Sequence, residues 1–378
     1  MTVAILTPRD EPEYDRYLIN SPLATFEYTI NWSKILSTSF GFKPYLLISR
    51  GKQHEINGVL PLFKAKSIFG TRLVSTPYAV QTPIIAQNSA TYRNLLRFAI
   101  ELVKTEDLDY LEIRGEPEII IPEESYLKDT TSLNATSTDQ ESNNLTGDDP
   151  ITKLVQRQNV YNFLLPLNSG PQEIWKKLPK SSIRWGIKKA QNSSLTIRKG
   201  RSLQEISAFY KLFLNTRKRR GVPGYPLSYF QDIVERFAEN SRIYLAEHQG
   251  KPIAAIFLLY HKKEVRYAFA GALHDRSLIQ LQPYHLLIWE AINDACREGY
   301  STFNFGGATV ETNDGGLYEF KRKWSEQITP VVSSFYFHKE SKQTEANSPL
   351  FKIASRCWKH FPSWFIKRID QYVIRQFV

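Results

Sequence analysis

A chain of 378 residues, 42% of them hydrophobic and 23% charged, is long enough for two cored domains and too apolar to be disordered throughout. Its 49 Lys and Arg against 38 Asp and Glu leave a formal charge of +11, which directs attention to an anionic partner: a phosphate-bearing molecule, a nucleic acid or an anionic membrane surface. The two cysteines, Cys296 and Cys357, lie far apart and belong to no CxxC or Cys/His cluster, so neither a disulfide framework nor a metal site is expected, and a reducing compartment is the default.

Met1 to Asp15 mixes Arg9 with Asp10, Glu11, Glu13 and Asp15 and has no apolar core, unlike a signal peptide. No apolar run approaches the roughly 18 residues of a membrane span, so the expected location is the cytosol or the cytosolic face of a membrane. Tyr45 to Gly51 followed by an apolar run ending at Phe63 predicts a β-hairpin turning at glycine. Leu95, Leu96, Ala99, Ile100 and Val103 line one side of a helix over Tyr92 to Lys104, and a strand is expected at Tyr110 to Arg114. Residues 101–150 carry 14 acidic and 3 basic side chains, and within them Thr130 to Asp149 is polar, without period, and reads as a mobile loop.

Residues 176–220 reverse the sign, with 14 basic side chains and 1 acidic. The later part then repeats the earlier order. Tyr244 to Gly250 with Ile253 to Tyr260 forms a second hairpin, Tyr284 to Arg297 a helix stopped by Gly299, and Thr302 to Phe305 a strand. Hairpin, helix, strand twice over points to a duplicated α/β unit. The division expected is an N-terminal domain over 1–125, a disordered polar loop over 126–150, a C-terminal domain over 151–340 with a basic helical segment near 173–220, and a basic aromatic tail over 341–378. In that tail Pro349 to Val378 holds 7 aromatic and 6 basic residues and one acid, Asp370. Such a segment can lie on an anionic leaflet or pack its apolar face on the domains.

Five segments follow in a fixed order: Leu178 to Arg184, Thr216 to Pro226, Gln282 to Leu287, Phe303 to Gly306, and Gly316 to Trp324 with its Tyr318, Phe320 and Lys321. Together with Gly58 to Phe63 and Leu73 to Tyr78 they resemble the FemAB-like branch of the GNAT acyltransferase superfamily, over roughly Phe26 to Phe337. The resemblance implies an α/β (α+β) fold of two tandem GNAT-like domains, each a mixed, mostly antiparallel sheet flanked by helices. It also implies transfer of an acyl or aminoacyl group to an amine, often of a peptidoglycan precursor or cell-surface glycan.

An amine attacking a thioester or ester carbonyl generates a tetrahedral oxyanion, which needs a fixed positive charge or N–H donors. Lys321 matches the lysine of the family's Phe-Lys motif, to which that role is ascribed; read as a strand, Tyr318 and Phe320 alternate and Lys321 points away from them. Lys180, Arg184 and Lys188 recur at helical spacing, either as a solvated face or as a site for a phosphate-bearing substrate. Arg217 to Arg220 precede a Gly/Pro-rich loop and are read as candidate anion contacts. Tyr78 and Gln81 stand where relatives contact acceptor, Asn304 is a candidate to line the cleft ahead of Gly306, and Tyr318 is a further candidate substrate contact.

Gln282, Tyr284 and His285 occupy the place where GNAT enzymes hold the cofactor pyrophosphate on a glycine-rich loop opening a helix. No glycine is present there, which puts conventional acetyl-CoA or acyl-CoA binding in doubt, whereas the basic block suits aminoacyl-tRNA as co-substrate. His274, His285 and Glu290 are the candidate bases, none of them distinguished by its setting. The partners expected are an anionic or lipid-linked glycan substrate, tRNA, and a peripheral inner-membrane contact through 349–378. A second reading keeps the fold without catalysis, as a tandem protein binding nucleic acid or anionic membrane; retention of Lys321 favours the enzyme and loss of the glycine loop favours the binder.

Overall fold

A computed structural model describes residues 2–68, 70–115, 149–310, 315–339, 358–359, 361 and 363–377. Apart from its last two residues, the expected loop over 126–150 lies outside the described residues, as does most of the tail before residue 363.

The first half supplies β1 (Thr2–Ile5), α1 (Glu11–Asn20), α2 (Ile30–Phe40), β2 (Lys43–Arg50), β3 (Ile56–Ser67), β4 (Gly70–Val74), the short β5 (Ile85–Ala86), α3 (Ser89–Thr105) and β6 (Tyr110–Arg114). The second supplies β7 (Val155–Pro166), α4 (Gly170–Lys177), α5 (Trp185–Gln191), β8 (Leu195–Gly200), α6 (Leu203–Arg220), α7 (Leu227–Phe237), β9 (Ser241–His248), β10 (Lys251–His261), β11 (Glu264–Ala272), the single turn α8 (Arg276–Ile279), α9 (Pro283–Arg297), β12 (Thr302–Ala308), α10 (Gly315–Trp324) and β13 (Gln327–Phe337). A last helix, α11 (Ser363–Ile374), follows.

Local chemistry explains the boundaries. The Thr29 hydroxyl caps α2 by accepting from Trp32 N–H, and Gly41 ends it at φ +70°. Asn88 caps α3, whose Leu95, Leu96, Ala99, Ile100 and Val103 are all buried. Ser202 and Glu205 form a capping box on α6, which stops at Gly221 with φ +71°. The β9–β10 turn uses positive φ at both Gln249 and Gly250, as tight hairpins require.

The thirteen strands among the described residues form one sheet, in the order β1-β2-β3-β4-β6-β13-β7-β12-β11-β10-β9-β8, with β5 on β3. It is antiparallel except at β4–β6 and β11–β12. The duplication is longer than the sequence pattern suggests, running strand, two helices, hairpin, strand, helix, strand in each half. One strand crosses between the halves: β7, the first strand of the second half, pairs with β12, while β13 reaches over to pair with β6 of the first. β7 and β13 pair with each other at the centre, so one ladder runs across both halves.

Besides a small cluster of Tyr14, Leu18, Tyr28 and Val59 under α1, three larger cores flank this sheet. α3 covers one face in the first half, α9 the same role in the second, and each packs on alternate strand residues. The third core is shared, with Trp32, Phe40 and Phe63 of the first half meeting Phe209, Tyr229, Phe230 and Phe257 of the second. Phe40 and Tyr229 stand 5.1 Å apart between ring centres. Among the described residues no helix is long and apolar enough to cross a membrane. The described part of the tail packs inward: Ile374 joins the shared core, and buried Asp370 accepts from Gly224 N–H at 3.0 Å.

Candidate active site

The decisive local feature is a parallel pair that parts midway. β11 and β12 pair only at Glu264–Thr302, Val265–Phe303 and Arg266–Asn304, after which both strands continue without pairing to each other. Strands that separate leave main-chain donors and acceptors for other partners, so the wedge between them is suited to bind substrate. On its other edge β12 pairs with β7, with a bulge between Asn304 and Gly306. Gly306 sits at φ +72°, a conformation that glycine adopts without strain.

Lys321 reaches this bulge. The strand expected around it is instead the helix α10, because Leu317, Phe320 and Trp324 recur at three- and four-residue spacing and pack inward, Trp324 being almost fully buried. Lys321 is only 7% exposed, and its Nζ donates to the Gly307 carbonyl at 2.7 Å. Burial first, then the positive charges of Arg266 and Arg220, pull its pKa down to about 7. An ammonium carries three N–H donors, so two remain after the Gly307 bond. A side chain at Gly306 would stand 3.7 Å from Nζ, and one at Gly307 would meet Val160 at 2.7 Å and Val80 at 3.0 Å. Val80 comes from the first half, so the site lies on the seam between the halves.

The start of α9 closes one side. Gln282 precedes it in the left-handed region with φ +61°, Pro283 occupies the first turn without an N–H, and His285 N–H donates to the Gln282 carbonyl. Burial pushes the Tyr284 hydroxyl up to about 12, and burial followed by the charge of Lys323 brings His285 down to about 4. His285 is therefore a neutral ring at pH 7, packed against Phe320 and Trp324 at 6.1 and 5.9 Å. A Cβ at Gly186 would strike its ring at 2.7 Å, which brings α5 against the first turn of α9.

The basic stripe is not one helix. Lys180 to Arg184 forms a π-helical turn before α5; Lys180 and Lys188 are exposed, while Arg184 is half-buried and its Nε is buried without a hydrogen-bond partner. Arg217 to Arg220 likewise are the last turn of α6, and only part of the row faces the wedge. The field of Arg220 reaches Lys321, Tyr267 and Tyr284, and that of Arg219 reaches Tyr284 as well. Arg217 turns inward: its Nε donates to the Pro223 carbonyl at 2.7 Å, and its guanidinium lies over Phe213 and Tyr225. This departs from the row of anion contacts expected, because Phe213 and Tyr225 offer a cation a better surface than water-facing isolation beside three like charges.

Tyr78 is half-buried at φ +65°, with rings of Phe40 and Tyr225 at 5.1 and 5.2 Å, and its hydroxyl donates to the Ile374 carbonyl of α11 at 3.2 Å. Gln81 packs over Gly115 at the end of β6. Neither makes a recorded contact with Lys321. Tyr318 stands edge-on to Tyr161 and Phe163 at 5.7 and 5.2 Å, on the same helix as Lys321. Asn304, expected to line the cleft, is instead 2% exposed, with Nδ2 donating to Glu264 at 3.0 Å and Oδ1 accepting from Gly306 N–H at 2.8 Å. It is internal because its amide bridges Glu264 of β11 and the Gly306 N–H of its own strand.

Comparison with known proteins agrees with this geometry. Residues 180–322, which hold the parted strands, match the family model described as an acetyltransferase (GNAT) domain. A relative from Weissella viridescens, UDP-N-acetylmuramoylpentapeptide-lysine N(6)-alanyltransferase, is 23% identical over 320 residues, covering 83% of this chain and 89% of its own. The crystal structure of FemX superposes with a TM-score of 0.65 at 13% identity, over 94% of this chain and 100% of FemX. The chain carries a GNAT acetyltransferase domain within a tandem GNAT-like fold and is similar to the FemAB-like branch. The C-terminal domain of a putative lysylphosphatidylglycerol synthetase from Agrobacterium fabrum shares the fold, with a TM-score of 0.53 at 11% identity over 92% of this chain and 96% of that one.

In this FemAB-like chain several residues at the wedge escape sequence reasoning. Arg266, Glu264 and Tyr267 sit on β11, where charged residues at alternate positions in an otherwise apolar strand are the one available signal. Glu27 and Val80 come from the first half, far away in sequence, and nothing local marks them. Among the described residues no group of three or more His, Cys, Asp or Glu could hold a metal ion.

Proposed function

We propose that this chain transfers an aminoacyl group from an activated donor to an amine of a peptidoglycan precursor or related cell-envelope glycan. The observation that carries the reading is the buried Lys321 ammonium beside the parted strands, with Nζ 2.7 Å from the Gly307 carbonyl. When the amine nitrogen attacks the donor's ester carbonyl, negative charge gathers on the carbonyl oxygen; the ammonium neutralises it in a site of low dielectric, where such an interaction is worth most. The C–O bond then breaks, and the proton that the amine nitrogen loses passes by way of solvent to the departing ribose oxygen, which leaves as a hydroxyl.

Two donors are open to such an enzyme, acyl-CoA and aminoacyl-tRNA. The start of α9 favours the second, since Pro283 supplies no N–H and that of His285 is spent on Gln282, leaving a poor cradle for a pyrophosphate. The basic surface around Lys180, Arg184, Lys188 and Arg220 supports a polyanionic substrate. The name of the Weissella relative supports a muramyl-pentapeptide acceptor, and a lipid-linked form of it would suit a peripheral membrane contact through 349–378.

The test is to incubate the purified chain with a UDP-linked muramyl pentapeptide and either alanyl-tRNA or acetyl-CoA, and to weigh the product. Gain of one alanyl residue from the tRNA arm is expected. Acetylation alone would reassign the donor, and no product across a panel of aminoacyl-tRNAs and amine-bearing precursors would remove the proposal.

A further inference from the structure

A buried polar chain runs from the first half to the carbonyl that holds Lys321. Glu27, 3% exposed at the edge of the shared core, meets Arg266 NH1 at 3.4 Å across the seam. Arg266, 7% exposed and stacked on Phe26 at 5.6 Å, places Nε and NH2 on Glu264 at 3.0 and 2.9 Å. The other oxygen of Glu264 accepts from Asn304, and Asn304 in turn accepts from Gly306 N–H. Gly306 is joined directly to Gly307, whose carbonyl takes the lysine ammonium.

Two features show that this chain does more than satisfy buried groups. First, it begins where the β11–β12 ladder stops: Arg266 and Asn304 are the last paired residues, so their side chains continue a connection that the backbone abandons. Second, Asn304 spends its carbonyl oxygen on the N–H of a residue at positive φ two places along, which fixes the bulge that aims the Gly307 carbonyl. The amide also fixes Glu264 against Arg266, so one side chain ties the charge of Arg266 to the geometry of the bulge.

We propose that Glu264 and Asn304 are positioning residues for Lys321, acting through Arg266 and the Gly306–Gly307 bulge, with Glu27 anchoring the chain in the first half. This rests on Lys321 being the catalytic cation. The charged groups whose fields reach the lysine are Arg266 from β11 and Arg220 from α6. Glu264 and Glu27 offset the first of these. Removing the Glu264 charge leaves Arg266 less balanced, so the lysine gives up its proton at lower pH. Removing the Asn304 amide frees the bulge, so the Gly307 carbonyl no longer orients the ammonium for the transition state.

Two readouts test this. In protein carrying 13C-labelled lysine, the Lys321 ε-carbon is identified by its loss in Lys321→Arg, and its titration is followed in wild type and Glu264→Gln. A midpoint moved to lower pH, with the alkaline limb of the kcat profile moving in step, is expected. Asn304→Ala should lower kcat about tenfold while KM changes less than about twofold. Variants that lose thermal stability yet keep the wild-type midpoint, pH profile and kcat would overturn the proposal and leave the chain a structural one. If Lys321→Ala proves fully active, the catalytic reading falls on its own, and the carbon-13 titration still decides whether Glu264 governs the lysine.

Discussion

Each half contains a parallel pair of strands that stays together for three residues, and the halves use it differently. In the first half β4 and β6 pair only at Arg72–Tyr110, Leu73–Leu111 and Val74–Glu112. The chain then fills its own gap: Ser75 N–H donates to the Glu112 carbonyl, Thr82 N–H to the Arg114 carbonyl, and Arg114 N–H to the Ser75 hydroxyl. In the second half the pairing stops after the same three steps, but Gly306, Gly307 and Lys321 occupy the corresponding gap. A duplicated frame therefore supplies one wedge sealed by a loop and one lined by a cation. The sealing loop is also useful to the second wedge, because Val80, which lies within it, packs against Gly306 and Gly307.

The contrast can be broken at glycines. Gly271 lies on β11 beyond the point of separation, where α6 approaches so closely that a Cβ would stand 2.3 Å from Phe213 N. Backbone cannot yield as a side-chain end can, so Gly271→Ala should cost about 3 kcal/mol or more, measured by chemical denaturation. Gly307→Ala should act on chemistry more than on folding: Val80 and Val160 can shift by some tenths of an ångström, but the carbonyl moves with them, and transfer should fall about tenfold to a hundredfold. Gly115→Ala is the matching change in the sealed wedge, at φ +92° and 3.0 Å from the Gln81 Cβ. It should cost about 1–2 kcal/mol of stability with kcat little changed. Equal losses of kcat in the two alanine variants would erase the distinction between the wedges.

A smaller effect concerns α11. Burial raises the Asp370 carboxyl to about 6, with Gly224 N–H and Arg217 opposing. The folded state thus binds this proton more tightly than the unfolded chain does. The stability it contributes is complete below the unfolded value of 3.8 and is lost as pH rises through about 6. Asp370→Asn keeps an oxygen for Gly224 and cannot ionise, so its advantage over wild type should grow between about pH 4 and pH 6 and reach about 1–3 kcal/mol at pH 7 and above. Melting curves across that range check the sign.

Much of the frame was legible because periodicity reports burial directly. The hairpins, the α3 and α9 stripes and the strands at Tyr110 and Thr302 all follow from it. The α10 segment can pass for a strand because Tyr318 and Phe320 alternate over too short a span to show that Leu317, Phe320 and Trp324 fit a helix better. The crossing of β13 to β6 leaves no local trace, since pairing partners far apart in sequence are set by the whole sheet. At the candidate site, Lys321 is singled out by a motif, whereas the contact of Arg266 with Glu27 forms across the seam and has no local pattern to mark it. Arg217 misled because a run of cations reads as surface until Phe213 and Tyr225 are seen beneath it.

The central claim is that the cation in the unsealed wedge stabilises the transition state. The most direct test is steady-state aminoacyl transfer by Lys321→Ala beside wild type, with an accepted donor and acceptor, across pH 5 to 9. Loss of a single oxyanion donor predicts a fall in kcat/KM of about 100- to 1,000-fold, together with disappearance of an alkaline limb centred near pH 7 in the wild type. An unchanged kcat/KM with the same pH profile would contradict it.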